Sequence, residues 1–177
     1  VETMLITSDL DMLQLINGHV KVYALKKGFS QIEEYHPESF EQKYGISHEQ
    51  FLDLKSLKGD SSDNITGVPG IGEKTAISLL QEYKTLDGVY ENVDLIKESV
   101  SKKLRAGKDM AYLSKEIARI WTDAPLPLDL KSMDGSNVDT KHLRKLLQKL
   151  EFRSLLRQLP DNMQSETPEV DTIAGLE

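Results

Sequence analysis

Residues 57–80 read LKGDSSDNITGVPGIGEKTAISLL. Two carboxylates, Asp60 and Asp63, stand three positions apart in this stretch. Three glycines and a proline follow them, and then an apolar helical pattern begins. Carboxylates repel phosphate, whereas the backbone amides of a glycine-rich bend attract it. A divalent cation standing between the acids and a phosphate reconciles the two.

The bend itself is GVPGIG, residues 67–72. Pro69 and Gly70 set the turn. Ile71 is placed to plug into a core between two helices, and Gly72 has no side chain to block close approach. Lys74 and Thr75 fall in the first turn of the next helix, where unpaired N–H groups and the helix dipole favour an anion. Gly67, Gly70, Ile71, Gly72, Lys74 and Thr75 are therefore the candidate nucleic-acid contacts, with the amides of Gly70, Gly72 and Lys74 expected to point one way. Such contacts read backbone and not bases, so binding is expected to be independent of base sequence. The same bend, taken alone, also serves as a plain helix-capping turn.

Working outward, Ala76, Leu79, Leu80 and Tyr83 share one helical face. Upstream, TMLITS (residues 3–8) reads as a short buried strand and LDMLQLI (10–16) as a short helix. HVKVYAL (19–25) alternates as a strand, with FSQIEEY (29–35) pairing to it across Lys26–Gly28. Pro37 opens a helix that Gly45 stops, and Ser47 with Gln50 makes a capping box for the next. Downstream come helical patterns over 86–93, 95–107 and 108–121, with Trp121 expected in the core. Pro125 and Pro127 make an extended link. Leu143, Leu146, Leu147 and Leu150 give another helical face, continued after a kink by 152–159. From Pro160 to Glu177 periodicity vanishes among Ser, Thr, Pro and acids, the composition of a flexible tail.

Hydrophobic residues make up 38% of the 177 and charged residues 29%, a globular composition. No apolar run approaches the length of a membrane span, and no signal peptide is visible. Without cysteine there is neither a disulfide framework nor a thiolate metal site, which is compatible with a reducing cytoplasm. The formal charge of −7 argues against nucleic acid, but five of the 29 acids lie after Pro160. Without them the balance is 24 acids to 22 bases, or −2, so the body has room for a basic face.

Asp9 and Asp11 lie two apart at a strand end; alternation would send them to opposite faces, but a turn into a helix can bring both inward. With Asp60 and Asp63 they make four hard oxygen donors, suited to Mg²⁺ or Mn²⁺. Singly, Asp60 and Asp63 are equally good as helix or turn caps. Lys102, Lys103 and Arg105 form a basic cluster, and Lys141, Lys145, Lys149, Arg153 and Arg157 recur every four residues, one stripe if the helix is continuous. The four histidines show no metal-ligand spacing.

The string TGVPGIG resembles the helix-hairpin-helix motif, and GDSSDNITGVPGIGEKTA resembles its variant in the 5′ nuclease superfamily, most closely the 5′-to-3′ exonuclease domain of bacterial DNA polymerase I. TSDLDMLQL resembles that family's Thr-Gly-Asp-x-Asp signature, with Ser8 where Gly is usual and Thr66 where Pro is usual in the hairpin. The likeness runs from about Thr3 to about Leu159. It implies that Asp9, Asp11, Asp60 and Asp63 are metal ligands. It implies also that the main-chain carbonyls of Thr66, Val68 and Ile71 hold a monovalent cation, K⁺. It places Lys102, Lys103 and Arg105 near downstream duplex DNA. The implied fold is α+β, mostly α: a remnant of a mixed PIN-like nuclease sheet over residues 1–45, a helical helix-hairpin-helix (H3TH) subdomain over 46–159, and a linker over 160–177.

In that family a further group of acids and the phosphate-gripping bases lie ahead of the position taken by Val1. The chain also starts inside a strand pattern with no initiator Met. The resemblance therefore implies part of a longer protein, joined to polymerase domains, which binds flapped, nicked or duplex DNA weakly on its own and cleaves it little. A non-enzymatic helix-hairpin-helix binding module is the alternative.

Overall fold

The structure is a computed structural model that describes residues 2–26, 31–131, 133–135 and 138–160. The chain divides into two compact units, Val1–Ala124 and Pro125–Glu177.

The first unit opens with β1 (Thr3–Thr7), a 3₁₀ turn (Leu10–Leu15), β2 (Val20–Leu25) and β3 (Ile32–Tyr35). Their order is β1-β2-β3, with β1 parallel to β2 and β3 antiparallel to it, so the sheet is mixed. The alternation of HVKVYAL shows directly: Val22 and Ala24 are buried while Lys21 is exposed. The turn expected at Lys26–Gly28 lies mostly outside the described residues. β1 departs from expectation. It is the edge strand, and Met4 and Ile6 are 65% and 66% exposed rather than buried. Its apolar run resembles a core strand, but among the described residues nothing covers that face.

Helices follow: α1 (Pro37–Tyr44), α2 (Phe51–Lys58), α3 (Glu73–Tyr83), α4 (Leu86–Glu91), α5 (Glu98–Ala106) and α6 (Lys108–Ala118). Pro37 starts α1 and Gly45 ends it at a left-handed φ of 71°. Ser47 and Gln50 form the expected capping box, although a short 3₁₀ turn intervenes before α2. One continuous core joins sheet and helices through Leu13, Val22, Phe40, Leu54, Leu80 and Ala111. Gln14 ties the 3₁₀ turn to the end of α6, donating to Ala118 O at 2.8 Å and accepting from Ile120 N at 3.3 Å. Trp121, expected in the core, is 68% exposed, because α6 stops at Ala118 and the chain leaves extended from Arg119.

The second unit carries α7 (Thr140–Lys149), capped by Asp139 at its first turn, and α8 (Arg153–Gln158). Glu151 lies between them at φ 56°, a left-handed conformation that breaks the helix. The basic stripe from Lys141 to Arg157 is therefore split and not continuous. The tail expected after Pro160 lies outside the described residues. The fold class is α+β and mostly α, as expected. No described helix is long and apolar enough to cross a membrane.

Candidate metal centre and nucleic-acid interface

Asp11, Asp60 and Asp63 each place one carboxylate oxygen within 4.8 Å of the other two. Asp11 comes from the 3₁₀ turn after β1, and Asp60 and Asp63 from the loop between α2 and α3. That loop is a closed turn: Asp60 N donates to Ile65 O and Ile65 N to Asp60 O, both at 2.8 Å. Asn64 takes the left-handed φ of 58° that the reversal needs. Asp60 Oδ1 accepts from Ser62 N at 3.0 Å and Ser62 Oγ at 2.5 Å. Its other oxygen, Oδ2, lies 2.7 Å from Lys55 Nζ, and the same ammonium reaches Asp11 Oδ1.

Lys55 was not singled out from the sequence. It rises from α2 with a side chain only 5% exposed. A lysine in LDLKSL with no acid three or four residues away gives only a faint signal. Its position fixes the electrostatics of the cluster: three carboxylates face one ammonium. Burial pulls the Asp60 carboxyl upward, but Lys55 and the two Ser62 donors outweigh it and hold it at about 2. The group is ionised at neutral pH. The cluster thus holds a cation against two of its carboxylates and still carries surplus negative charge. Hard oxygen donors with that surplus fit a hard divalent cation.

Asp9 is not part of the cluster. It is exposed and accepts from Asp11 N at 2.8 Å, capping the 3₁₀ turn. Both lie beyond the end of β1: Asp9 is the N-cap of the 3₁₀ turn, and Asp11, inside that turn, is the one that reaches Asp60.

The hairpin is held against the aspartate loop by two glycines. A Cβ on Gly67 would fall 2.2 Å from Gly59 N, and one on Gly59 would fall 2.6 Å from the carbonyls of Ile65 and Thr66. Only glycine permits so close a crossing. Val68 N then donates to Leu57 O at 2.8 Å. Two of the candidate contacts, Gly67 and Ile71, have their amides occupied within the fold. The Gly67 amide is buried and donates to Ser114 Oγ at 3.0 Å, and the Ile71 amide donates to Val68 O at 3.0 Å. Neither N–H faces a ligand, although Ile71 fills the core as expected, at 3% exposed. Gly70, Gly72 and Lys74 are exposed, and their amides take no acceptor among the described residues. Thr75, half-buried, sits in the first turn of α3. The carbonyls of Thr66 and Ile71 accept no hydrogen bond among the described residues, while that of Val68 accepts from Ile71. A cleft of about 370 Å³ runs from Asp60 past Thr66 to Gly72 and Glu73.

The basic cluster of α5 is divided. Lys102 pairs with Glu98 at 2.6 Å and Arg105 pairs with Asp94, whereas Lys103 Nζ donates to Gly70 O at 3.1 Å.

A family described as 5′-3′ exonuclease, C-terminal SAM fold, matches residues 46–141, more than half the chain. The chain belongs to that family. DNA polymerase I of Bacillus caldotenax is 44% identical over 159 residues, which is 89% of this chain and 18% of that protein. DNA polymerase I of Caldicellulosiruptor bescii is 43% identical over 161 residues, 90% of this chain and 19% of that protein. The chain thus spans less than a fifth of the length of these relatives. Among solved structures, a bacteriophage T5 5′-exonuclease with bound zinc is 26% identical at a TM-score of 0.55, covering 66% of this chain and 42% of that one. The T5 D15 flap endonuclease in a product-like complex with DNA and metal ions shares the fold at a TM-score of 0.58 and 24% identity, over the same shares.

Proposed function

We propose that this exonuclease-family chain holds the backbone of duplex DNA at the 67–72 hairpin and presents Asp11, Asp60 and Asp63 to a divalent metal for phosphodiester hydrolysis near a 5′ end. The observation that carries the reading is the Gly59–Gly67 crossing, which clamps the carboxylate loop and the hairpin into one piece. The polymerase relatives and the T5 nucleases support it.

In this reading Asp11, Asp60 and Asp63 hold magnesium or manganese, with Asp9 orienting Asp11 through its amide. A bound ion supplies a polarised phosphate and a water acidified toward neutral pH. The chain's own residues do the rest. Gly70, Gly72 and Lys74 offer exposed amides to phosphate oxygens, and Thr75 adds a hydroxyl at the same helix start. Lys74 and the α5 cations add charge attraction that is blind to base sequence. The carbonyls of Thr66, Val68 and Ile71 hold a potassium-type cation at the hairpin mouth, since those of Thr66 and Ile71 accept no hydrogen bond among the described residues. The sheet up to about residue 45 serves to place Asp11, and the helices from 46 onward carry the grip on DNA.

Calorimetric titration with Mn²⁺, on the native chain and on the Asp60→Ala/Asp63→Ala double variant, tests the reading. Native binding that is lost in the variant is expected. Equal titrations would leave a DNA-binding hairpin with no metal role for the acids.

A further inference from the structure

We propose that Lys103 is a cation tethered to the hairpin. It holds the Pro69–Gly70 bend against α5 and places a fixed positive charge where that bend meets the nucleic-acid backbone. The proposal rests on the nucleic-acid reading given above.

Two contacts place α5 on the hairpin. Lys103 Nζ donates to Gly70 O at 3.1 Å. Gly70 takes φ +81°, and a Cβ there would come within 3.2 Å of Lys103 Cε and Nζ, so the lysine stem lies across the bend. At the junction of α5 and α6, a Cβ on Gly107 would fall 2.9 Å from Val68 Cγ1 and 3.3 Å from Pro69 Cδ. Hairpin and junction are therefore in direct contact.

Charge compensation sets Lys103 apart from its neighbours. Glu98 offsets Lys102, and Asp94 offsets Arg105. Lys108 lies over the Tyr90 ring at 5.5 Å from its centroid. Lys103 is exposed and its partner is a neutral carbonyl, with no carboxylate paired to it among the described residues. A lysine without a carboxylate displaces counterions from a phosphate backbone without first giving up an ion pair. Anchored on Gly70 O, it also loses less freedom when it does so.

The salt dependence of binding reports charge and is insensitive to a purely structural role. The full native chain and its variants are titrated with fluorescent duplex DNA at several KCl concentrations. Lys103→Met is expected to make the slope of log K against log [KCl] shallower by about 0.9, the contribution of one phosphate contact. Affinity at low salt should fall severalfold. Lys103→Arg keeps the native slope, and Lys102→Met changes it by a smaller amount than Lys103→Met. Thermal unfolding in parallel confirms that each variant is folded, with Lys103→Gln replacing the Met variant if that one is not. A native slope in folded Lys103→Met, or equal losses in Lys102→Met and Lys103→Met, overturns the proposal and leaves the wider DNA reading intact. No duplex binding by the native chain overturns both.

Discussion

Two ion-pair centres sit on the same helix, α2, two residues apart, and they are not alike. At Asp53, one acid meets one base: Oδ1 lies 2.6 Å from Lys115 Nζ, in contact though not aligned as a hydrogen bond, and Oδ2 accepts from Leu86 N at 2.9 Å. The charges balance, and the spare oxygen caps α4. At Lys55, one ammonium meets Asp11 and Asp60 with Asp63 alongside. There the acids outnumber the base. Both centres contain a nearly buried member, Asp53 at 6% and Lys55 at 4% exposed, so burial alone does not separate structure from function. What differs between the two centres is charge balance. A balanced pair has nothing left to offer a ligand, whereas surplus carboxylate calls for a further cation.

Three experiments bear on that contrast. Asp53→Ala leaves Lys115 without its acid and the α4 amide without its acceptor, and should cost about 3 kcal/mol of stability in chemical denaturation. Mn²⁺ binding should survive it; loss of metal binding there would erase the distinction between the centres. Lys55→Met leaves the acids facing one another, with an expected loss of roughly 2 kcal/mol in metal-free buffer. Mn²⁺ should restore much of that stability in thermal melts, more than it adds to the native chain. A melt indifferent to Mn²⁺ would mean that the surplus carboxylates take no divalent ion.

Acid titration gives the smallest effect. The Asp60 carboxyl lies near 2 in the folded chain against an ordinary 3.8. Its stabilisation is complete above the ordinary value and is lost as pH falls toward 2. Discounted for its partial exposure, the effect is about 1.5 kcal/mol. Glu33, held at about 2 by Lys26 and Lys43, adds to the same acid limb. The Asp60 part is therefore read as the difference in urea midpoint between native and Asp60→Asn, in metal-free buffer. That difference should shrink as pH drops from 5 to 2, because the native chain loses a contribution the variant never had. A difference constant with pH would show that Asp60 is not held by Lys55 in solution.

Much of this was legible in the residues. Alternation in HVKVYAL, the Pro37 and Gly45 boundaries, and the 76–83 helical face are local patterns, and local patterns survive folding. Asp60 and Asp63 were found because they share one short turn. That the amides of Gly70, Gly72 and Lys74 take no acceptor among the described residues follows from a glycine-bounded bend before a helix. Other features were not legible. Met4, Ile6 and Trp121 are apolar but exposed, because exposure depends on what packs over a residue. Gly67 looked like a ligand contact, yet its amide faces Ser114, 47 positions away.

By itself, then, the sequence determined the class of elements, the order in which they come, and the chemistry of the loop at 59–72, since capping, periodicity and turn propensity act over a few residues. The tertiary structure decided which acids meet and which cations remain uncompensated. Asp9 and Asp11 were equivalent on paper, and only the strand-to-turn geometry sends one to Lys55 and leaves the other as a cap. Lys102, Lys103 and Arg105 were likewise one cluster, and only packing gave two of them acids and the third a carbonyl. Coulombic partners are chosen by distance through space, and chain position sets that distance only within a single turn.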